Sequence, residues 1–265
     1  MTLLSTRTQM HALQALPRAT PAVALLLALA ATTLPAQVAP LAPRWEAGDT
    51  TPPVETFADG LARHHIALTE STLIAALHDP DGEVRSLAAA QLGATDDHPA
   101  LPQIMRALND ERDPQVQVNI AGAASWLGSK HALDQLQLLC QDVNVPPTAR
   151  LDAARYVSHK QLPTCFSAIT DVERTSEDPA VRVLALITAA SYHGQAEKAQ
   201  TLATTALADL DPTVRVQAAD SLRSLHATTA IEALNRALQA ETDDTAREHI
   251  REAVRVLNSL HTDKS

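Results

Sequence analysis

The chain has 265 residues, room for one large domain or two small ones, and 45% of them are apolar but only 2% aromatic. With seven Gly and two Cys, that balance argues against a β-sandwich or barrel and rules out a disulfide-stapled mini-domain. A formal charge of −10 speaks against a nucleic-acid or anionic-membrane surface, which leaves an acidic, Ala/Leu-rich helical chain.

In chain order, Met1 to Thr20 carries Arg7 and Arg18 and no acid, Ala22 to Ala31 is an apolar run, and Thr32 to Ala36 supplies small residues around Pro35. Basic, apolar and small segments in that order predict a signal peptide over residues 1–36, cleaved after Ala36. The run is shorter than the about 20 apolar residues of a membrane span. The alternative is an uncleaved N-terminal membrane anchor; after cleavage no membrane contact is expected. Removing Arg7 and Arg18 with no acid takes the charge from −10 to −12. Residues 37–60, with Pro40, Pro43, Pro52 and Pro53, read as an extended tether. Trp45 and Phe57 lie in it.

The body, 61–265, repeats every 32 or 33 residues. Arg85, Gln117, Arg150, Arg182, Arg215 and Arg247 mark the period. Four residues before each stand Asp81, Asp113, Pro146, Asp178, Asp211 and Asp243, followed by Gly82, Pro114, Pro147, Pro179, Pro212 and Asp244. Asp then Pro is a helix start. The carboxylate accepts from free first-turn amides, and Pro at the first helical position lacks only an N–H that would have had no partner. Small or apolar residues three and seven past the Arg row then draw a helical stripe. A second helix precedes each of these, as in Ser71–Leu77, Leu101–Leu108, Ala132–Cys140, Ala199–Leu207 and Ala230–Leu238. Each unit is thus an A helix, a turn and a B helix, with Gly93 and Gly128 expected to end two B helices. The units run approximately 67–95, 98–128, 131–158, 162–193, 196–226 and 229–260. One pair cannot bury its own stripe, so the pairs must stack.

Six residues before the Arg row lie Asp79, Glu111, Asn144, Ser176, Asp209 and Glu241. An Arg in a first helical turn opposes the helix dipole, and these carboxylates would compensate it. A structural ladder along the turns is expected from Asp79, Arg85, Arg150, Arg182, Asp209, Arg215, Glu241 and Arg247, in preference to an anion-binding track.

Paired helices with D-P-x-V-R opening the second resemble HEAT repeats, most of all the short HEAT-like units of phycobilin-lyase-type proteins. Asp178-Pro179-Ala180-Val181-Arg182 and Asp211-Pro212-Thr213-Val214-Arg215 carry the pattern; Gln117 and Pro146 depart from it. Over about residues 67–260 the resemblance implies an all-α, right-handed α-solenoid that scaffolds other molecules, usually proteins. Some relatives attach or detach bilin chromophores.

No G-x-G loop, H-E-x-x-H site, G-x-S-x-G elbow or C-x-x-C motif occurs. No catalytic residue, cofactor or metal is expected. Cys140 and Cys165 suit a disulfide in an exported protein. Registering units three and four on parallel A helices separates them by about 10 Å along the axis, too far for the bond, so two buried thiols are the favoured expectation. His98, His131, His159, His193 and His226 fall near turns after B helices, and His64-His65 precede the first unit. They read as polar turn residues rather than metal ligands. B-helix positions two, five, six and nine past the Arg row offer a partner-binding surface of Asn119, Trp126, Asp152, Arg155, Tyr156, Gln217, Asp220 and Ser224. The alternative is that Trp126 and Tyr156 fill gaps between repeats. The functional expectation is an exported, periplasmic or secreted, non-enzymatic scaffold for another protein with basic patches. Its rivals are a lyase-type or chaperone-like factor and an envelope spacer.

Overall fold

A computed structural model describes residues 56–262, and every regular element among them is helical. The signal peptide and nearly all of the tether lie outside the described residues.

The first helix, α1 (Phe57–Arg63), begins inside the segment read as tether. A reciprocal cap starts it: Thr56 accepts from the Asp59 amide while Asp59 accepts from the Thr56 amide. Gly60 lies against Leu87, and His65 follows in the left-handed region at φ 59°. Asp96, Gly128, Gln161 and His226 take the same conformation after later B helices. α1 thus packs on α3 and ends in the same left-handed turn.

Six helix pairs follow. The A helices are α2 (Glu70–Ala76), α4 (Leu101–Asp110), α6 (Lys130–Gln141), α8 (Phe166–Thr175), α10 (Ala196–Ala206) and α12 (Ile231–Ala240). The B helices are α3 (Gly82–Ala94), α5 (Pro114–Trp126), α7 (Pro147–His159), α9 (Pro179–Ala190), α11 (Pro212–Ser224) and α13 (Asp244–Thr262). Short 3-10 turns at His98–Ala100 and Thr228–Ala230 lead into α4 and α12. This is an α-solenoid.

The B-helix starts are chemically uniform. Asp81, Asp113, Asp178, Asp211 and Asp243 each accept from a backbone amide two or three residues on, at 2.8–2.9 Å. Unit three has Pro146 there and no side-chain cap. Neighbouring B helices pack on one another along the stack, while A helices stay further apart. Small side chains permit that approach. Gly93 is no terminator: it is buried inside α3, and a Cβ on it would meet the Ala123 Cα at 3.1 Å. Gly128 does follow α5, at φ 86°.

The core is a continuous spine of fully buried Leu and Ile, including Leu92, Ile104, Ile120, Leu136, Leu151, Ile169, Leu186, Leu222, Leu234 and Ile250. Every helix from α3 on except α10 contributes one, and each such burial stabilises by roughly 2 kcal/mol. Ala fills the spaces between them, which is why the apolar share of the composition holds so few aromatics.

Candidate partner-binding surface

At three junctions the Arg row pairs with the next unit's carboxylate rather than its own unit's. Arg85 Nε donates to Glu111 at 2.7 Å, Arg182 Nε to Asp209 at 2.9 Å and Arg215 Nε to Glu241 at 2.6 Å. Each Arg also donates backwards to the carbonyl of its own unit's acid-row residue: Arg85 to Asp79, Arg182 to Ser176 and Arg215 to Asp209. The second carboxylate oxygens are held by backbone amides, those of Arg112 and Asp113 on Glu111 and those of Thr242 and Asp243 on Glu241. The expected within-unit pairing of Asp79 with Arg85 runs through the Asp79 carbonyl, not its carboxylate.

Glu241 shows the electrostatic result most strongly. The Arg215 hydrogen bond outweighs its burial and holds its carboxyl down at about 2. Glu111 and Asp209 are pushed up by burial, but their Arg and amide hydrogen bonds prevail and the net direction is down. Glu173 is the reverse. Burial and the nearby Asp209 charge raise it, and Arg182 only partly offsets them.

Two members expected in the ladder stand outside it. Arg150 is buried and its Nε donates to the Cys140 carbonyl, because unit four offers Ser176 where a carboxylate would be needed. Arg247 pairs with Asp244 and donates to the Glu241 carbonyl. Gln117 keeps only the backward bond, to the Glu111 carbonyl. Glu111 stood in the acid row but outside the expected ladder, because its own unit carries Gln117 in the Arg place.

Cys140 and Cys165 are joined by a disulfide, with Cα atoms 5.9 Å apart. The axial offset deduced from the repeat does not exist, because α6 and α8 are not side by side in register. Cys165 precedes α8 as its cap residue, and that end of α8 abuts the last turns of α6, where Thr164 also bonds Gln137 at 3.0 Å. Tyr192 secures the same corner from α9's end. Its hydroxyl donates to the Leu162 carbonyl at 2.6 Å and accepts from the Cys165 amide at 3.3 Å, and its ring meets Phe166 edge-on.

On the B-helix face, three of the eight proposed surface residues, Asn119, Asp152 and Asp220, make polar contacts to a neighbouring helix. Asn119 donates to Ser86 at 3.2 Å, and Gln115 to Asp152 at 2.8 Å. Asp220 pairs with Arg223 and His249. Gln217 and Ser224 bond within α11, to Ser221. Trp126, Asp152, Arg155 and Tyr156 form one cluster; Gln217 and Asp220 lie two units away. The Tyr156 ring lies on Gly122, where a Cβ would come within 2.3 Å, and meets Trp126 edge-on at 5.5 Å. Arg155 sits 6.0 Å from the Tyr156 ring centre and pairs with Asp152 at 3.0 Å. Tyr156 thus fills a gap between repeats, as the alternative had it, while Trp126 remains 37% exposed. Ile187, in the same row as Arg155, is 40% exposed. Its signal was available: an apolar residue at an outward B-helix position.

The turn histidines have local roles. His65 and His226 occupy left-handed positions, which His tolerates better than most residues. His159 and His193, from adjacent units, have ring centres 6.4 Å apart. Burial, then His193 and Arg155, push the His159 imidazole below its usual range. No group of three or more His, Cys, Asp or Glu placed to hold a metal ion occurs among the described residues, and no helix there is long and apolar enough to cross a membrane.

A family model described as HEAT repeats matches residues 70–157, from the start of α2 to near the end of α7. This segment is built of HEAT repeats. Units four to six continue the period of that segment and carry the Arg182–Asp209 and Arg215–Glu241 rungs; units four and five open their B helices with Asp-Pro, unit six with Asp243-Asp244. No curated protein matches the chain. HEAT repeats generally mediate protein–protein interaction and are typically non-enzymatic.

Proposed function

We propose that the chain is an exported, non-enzymatic scaffold that binds another protein along the B-helix face of a right-handed HEAT solenoid. The observation that carries the reading is the cluster on α5, α7 and α9: an exposed Trp126 edge braced by Tyr156, with Arg155 and Ile187 exposed nearby. Trp and Arg are the side chains on which binding energy concentrates, and a ring held by its neighbour loses little freedom on binding. Asp152, Arg155 and Tyr156 are spent on one another, Gln115 and Gly122, which gives a lyase-type pocket no support.

Export is supported by the basic, apolar and small order of residues 1–36 and by the disulfide, since such bonds persist in oxidising compartments. The mature chain would start at Gln37 and carry a Pro-rich tether up to α1. An acidic surplus favours a partner with basic patches, so association weakens as salt rises.

The test is cross-linking capture with the full chain in its native cell envelope. Trp126→Ala with Ile187→Ser should lower recovery of the partner about tenfold. Undiminished recovery would overturn the assignment of the surface, and recovery indifferent to salt would overturn its charge component. N-terminal sequencing of the exported protein should begin at Gln37; an intact Met1 in a cytoplasmic fraction would refute export.

A further inference from the structure

The two long edges of the stack carry different charge. From α2 on, short connections reverse the chain at each step, so A-to-B connections lie on one edge and B-to-A connections on the other. With two residues on either side, the six A-to-B connections hold fourteen carboxylates, two or more in every unit but the third. Arg63, Arg112, Arg174 and the five Arg of the marked row meet them, which leaves six acids in excess.

The five B-to-A connections between units, counted the same way, are different. Asp96, Asp97, Glu197 and Glu232 stand against Lys130, Lys160 and Arg223, so the fixed charges nearly cancel. Each connection also carries one histidine, in order His98, His131, His159, His193 and His226, and all five are exposed. The acid edge has only His78 by the same count. An Asp96 oxygen lies 3.2 Å from His98 Nε2, His131 follows Lys130, and the His226 amide donates to the Arg223 carbonyl. His159 has His193, Arg155 and Lys160 about it; burial and these neighbours hold it low, so it joins only at the acid end of the range.

Imidazole takes its proton as pH falls through about 6.5, whereas carboxylates keep their charge down to about pH 4. In mild acid the histidine edge therefore passes from near balance to four cations in excess, and the opposite edge stays negative. Both edges recur once per unit, so a copy displaced sideways brings histidine turns opposite acid turns along the stack.

We infer that in mildly acidic solution this chain docks on a second copy of itself, the histidine edge of one body against the carboxylate edge of the next. Docking of unlike edges is head-to-tail and leaves one edge free on each side, so rows form rather than closed dimers. The contact goes beyond the scaffold reading and does not use Trp126.

The experiment is sedimentation velocity on the full chain at about pH 7.5 and about pH 5.5, in low and in high salt. The weight-average mass should rise about twofold or more in acid at low salt and fall back at high salt. Loss of net charge near the sequence pI of about 5.5 also brings proteins together, and edge variants separate the two causes. His131→Gln with His159→Gln and His193→Gln removes imidazoles from three turns. Asp110→Lys with Glu177→Lys reverses two exposed carboxylates that cap no helix. Each variant should keep its neutral-pH mass in acid, with helical circular dichroism intact. An equal mixture of the two should form one-to-one pairs and nothing larger, because each keeps the edge that the other lacks. His78→Gln should associate as wild type does. A wild-type mass unchanged in acid, association that survives the triple histidine change, or a mixture that does not pair overturns the docking.

Discussion

The two ends of the stack and its middle are held by different chemistry. Junctions one–two, four–five and five–six each carry an Arg–carboxylate rung: Arg85–Glu111, Arg182–Asp209 and Arg215–Glu241. Junctions two–three and three–four carry none. Gln117 has no charge to give, and Arg150 faces no carboxylate. There the stack relies on Tyr156 laid over Gly122, on Gln115 bonded to Asp152, and on the Cys140–Cys165 bond with Tyr192 behind it. α7 also packs less closely on α5 and α9 than the other B helices do on their neighbours. Stability along a solenoid sums over nearest-neighbour interfaces, so a junction short of one kind of contact needs another.

The sharpest way to break this comparison is to remove the covalent link. Cys140→Ser with Cys165→Ser should cost about 3–4 kcal/mol in denaturant unfolding, the entropy of the loop that the bond closes. Limited proteolysis of the variant should cut first in the 160–164 turn, between units three and four. A thiol count of two in the native oxidised protein, or an unchanged midpoint for the double variant, would show that the middle does not depend on the bond.

At the end junctions the matching change is Glu241→Gln, which leaves Arg215 without its counter-charge in a half-buried place. A loss of about 3 kcal/mol is expected. Because Glu241 is held near 2 when folded against 4.5 ordinarily, its stabilisation is complete above pH 4.5. That stabilisation fades as pH falls through 2. The gap between wild type and variant should therefore be constant at neutral pH and close between pH 4.5 and 2. A gap that persisted at pH 2 would mean the rung acts by packing, not charge.

Much of this was legible in the residues and some was not, for definite reasons. The period, the Asp-Pro starts and both helices of every unit are local signals, fixed by capping and hydrophobic spacing. The rungs were visible as rows, but not the choice of the next unit's carboxylate over the same unit's, because that depends on how far one pair is displaced from the next. The disulfide was misjudged for a related reason. Counting from the repeat assumed that α6 and α8 lie in register, yet Cys140 sits in the last turn of α6 while Cys165 precedes α8 as its cap residue. On the surface, Trp126 and Tyr156 were found by row position. That one of them fills a gap while the other meets solvent follows from Gly122, whose missing side chain acts across a junction.

Gly122→Ala tests that junction directly. The new methyl would meet the Tyr156 ring, so the ring or α7 must shift; a loss of about 2 kcal/mol is expected, with the Trp126 fluorescence changed. Gly122→Ala with Tyr156→Ala should recover part of the loss if the clash is its cause. No recovery would place the strain elsewhere.

The smallest effect has the opposite sign and probes a flaw in a charged junction. Glu173 lies buried beside the Arg182–Asp209 rung, in a helix position held by Ala76, Leu108, Ala206 and Leu238 in other units. One guanidinium serves two carboxylates there, and burial and Asp209 raise the Glu173 carboxyl. A raised acid burdens the fold most when fully ionised, and protonation relieves it. Glu173→Gln should therefore stabilise by roughly 1 kcal/mol at neutral pH, and that gain should shrink as pH falls below the raised value and Glu173 takes up its own proton. Destabilisation at neutral pH would mean that Arg182 needs both carboxylates, and that the end junctions resemble a shared charge network more than a series of separate rungs.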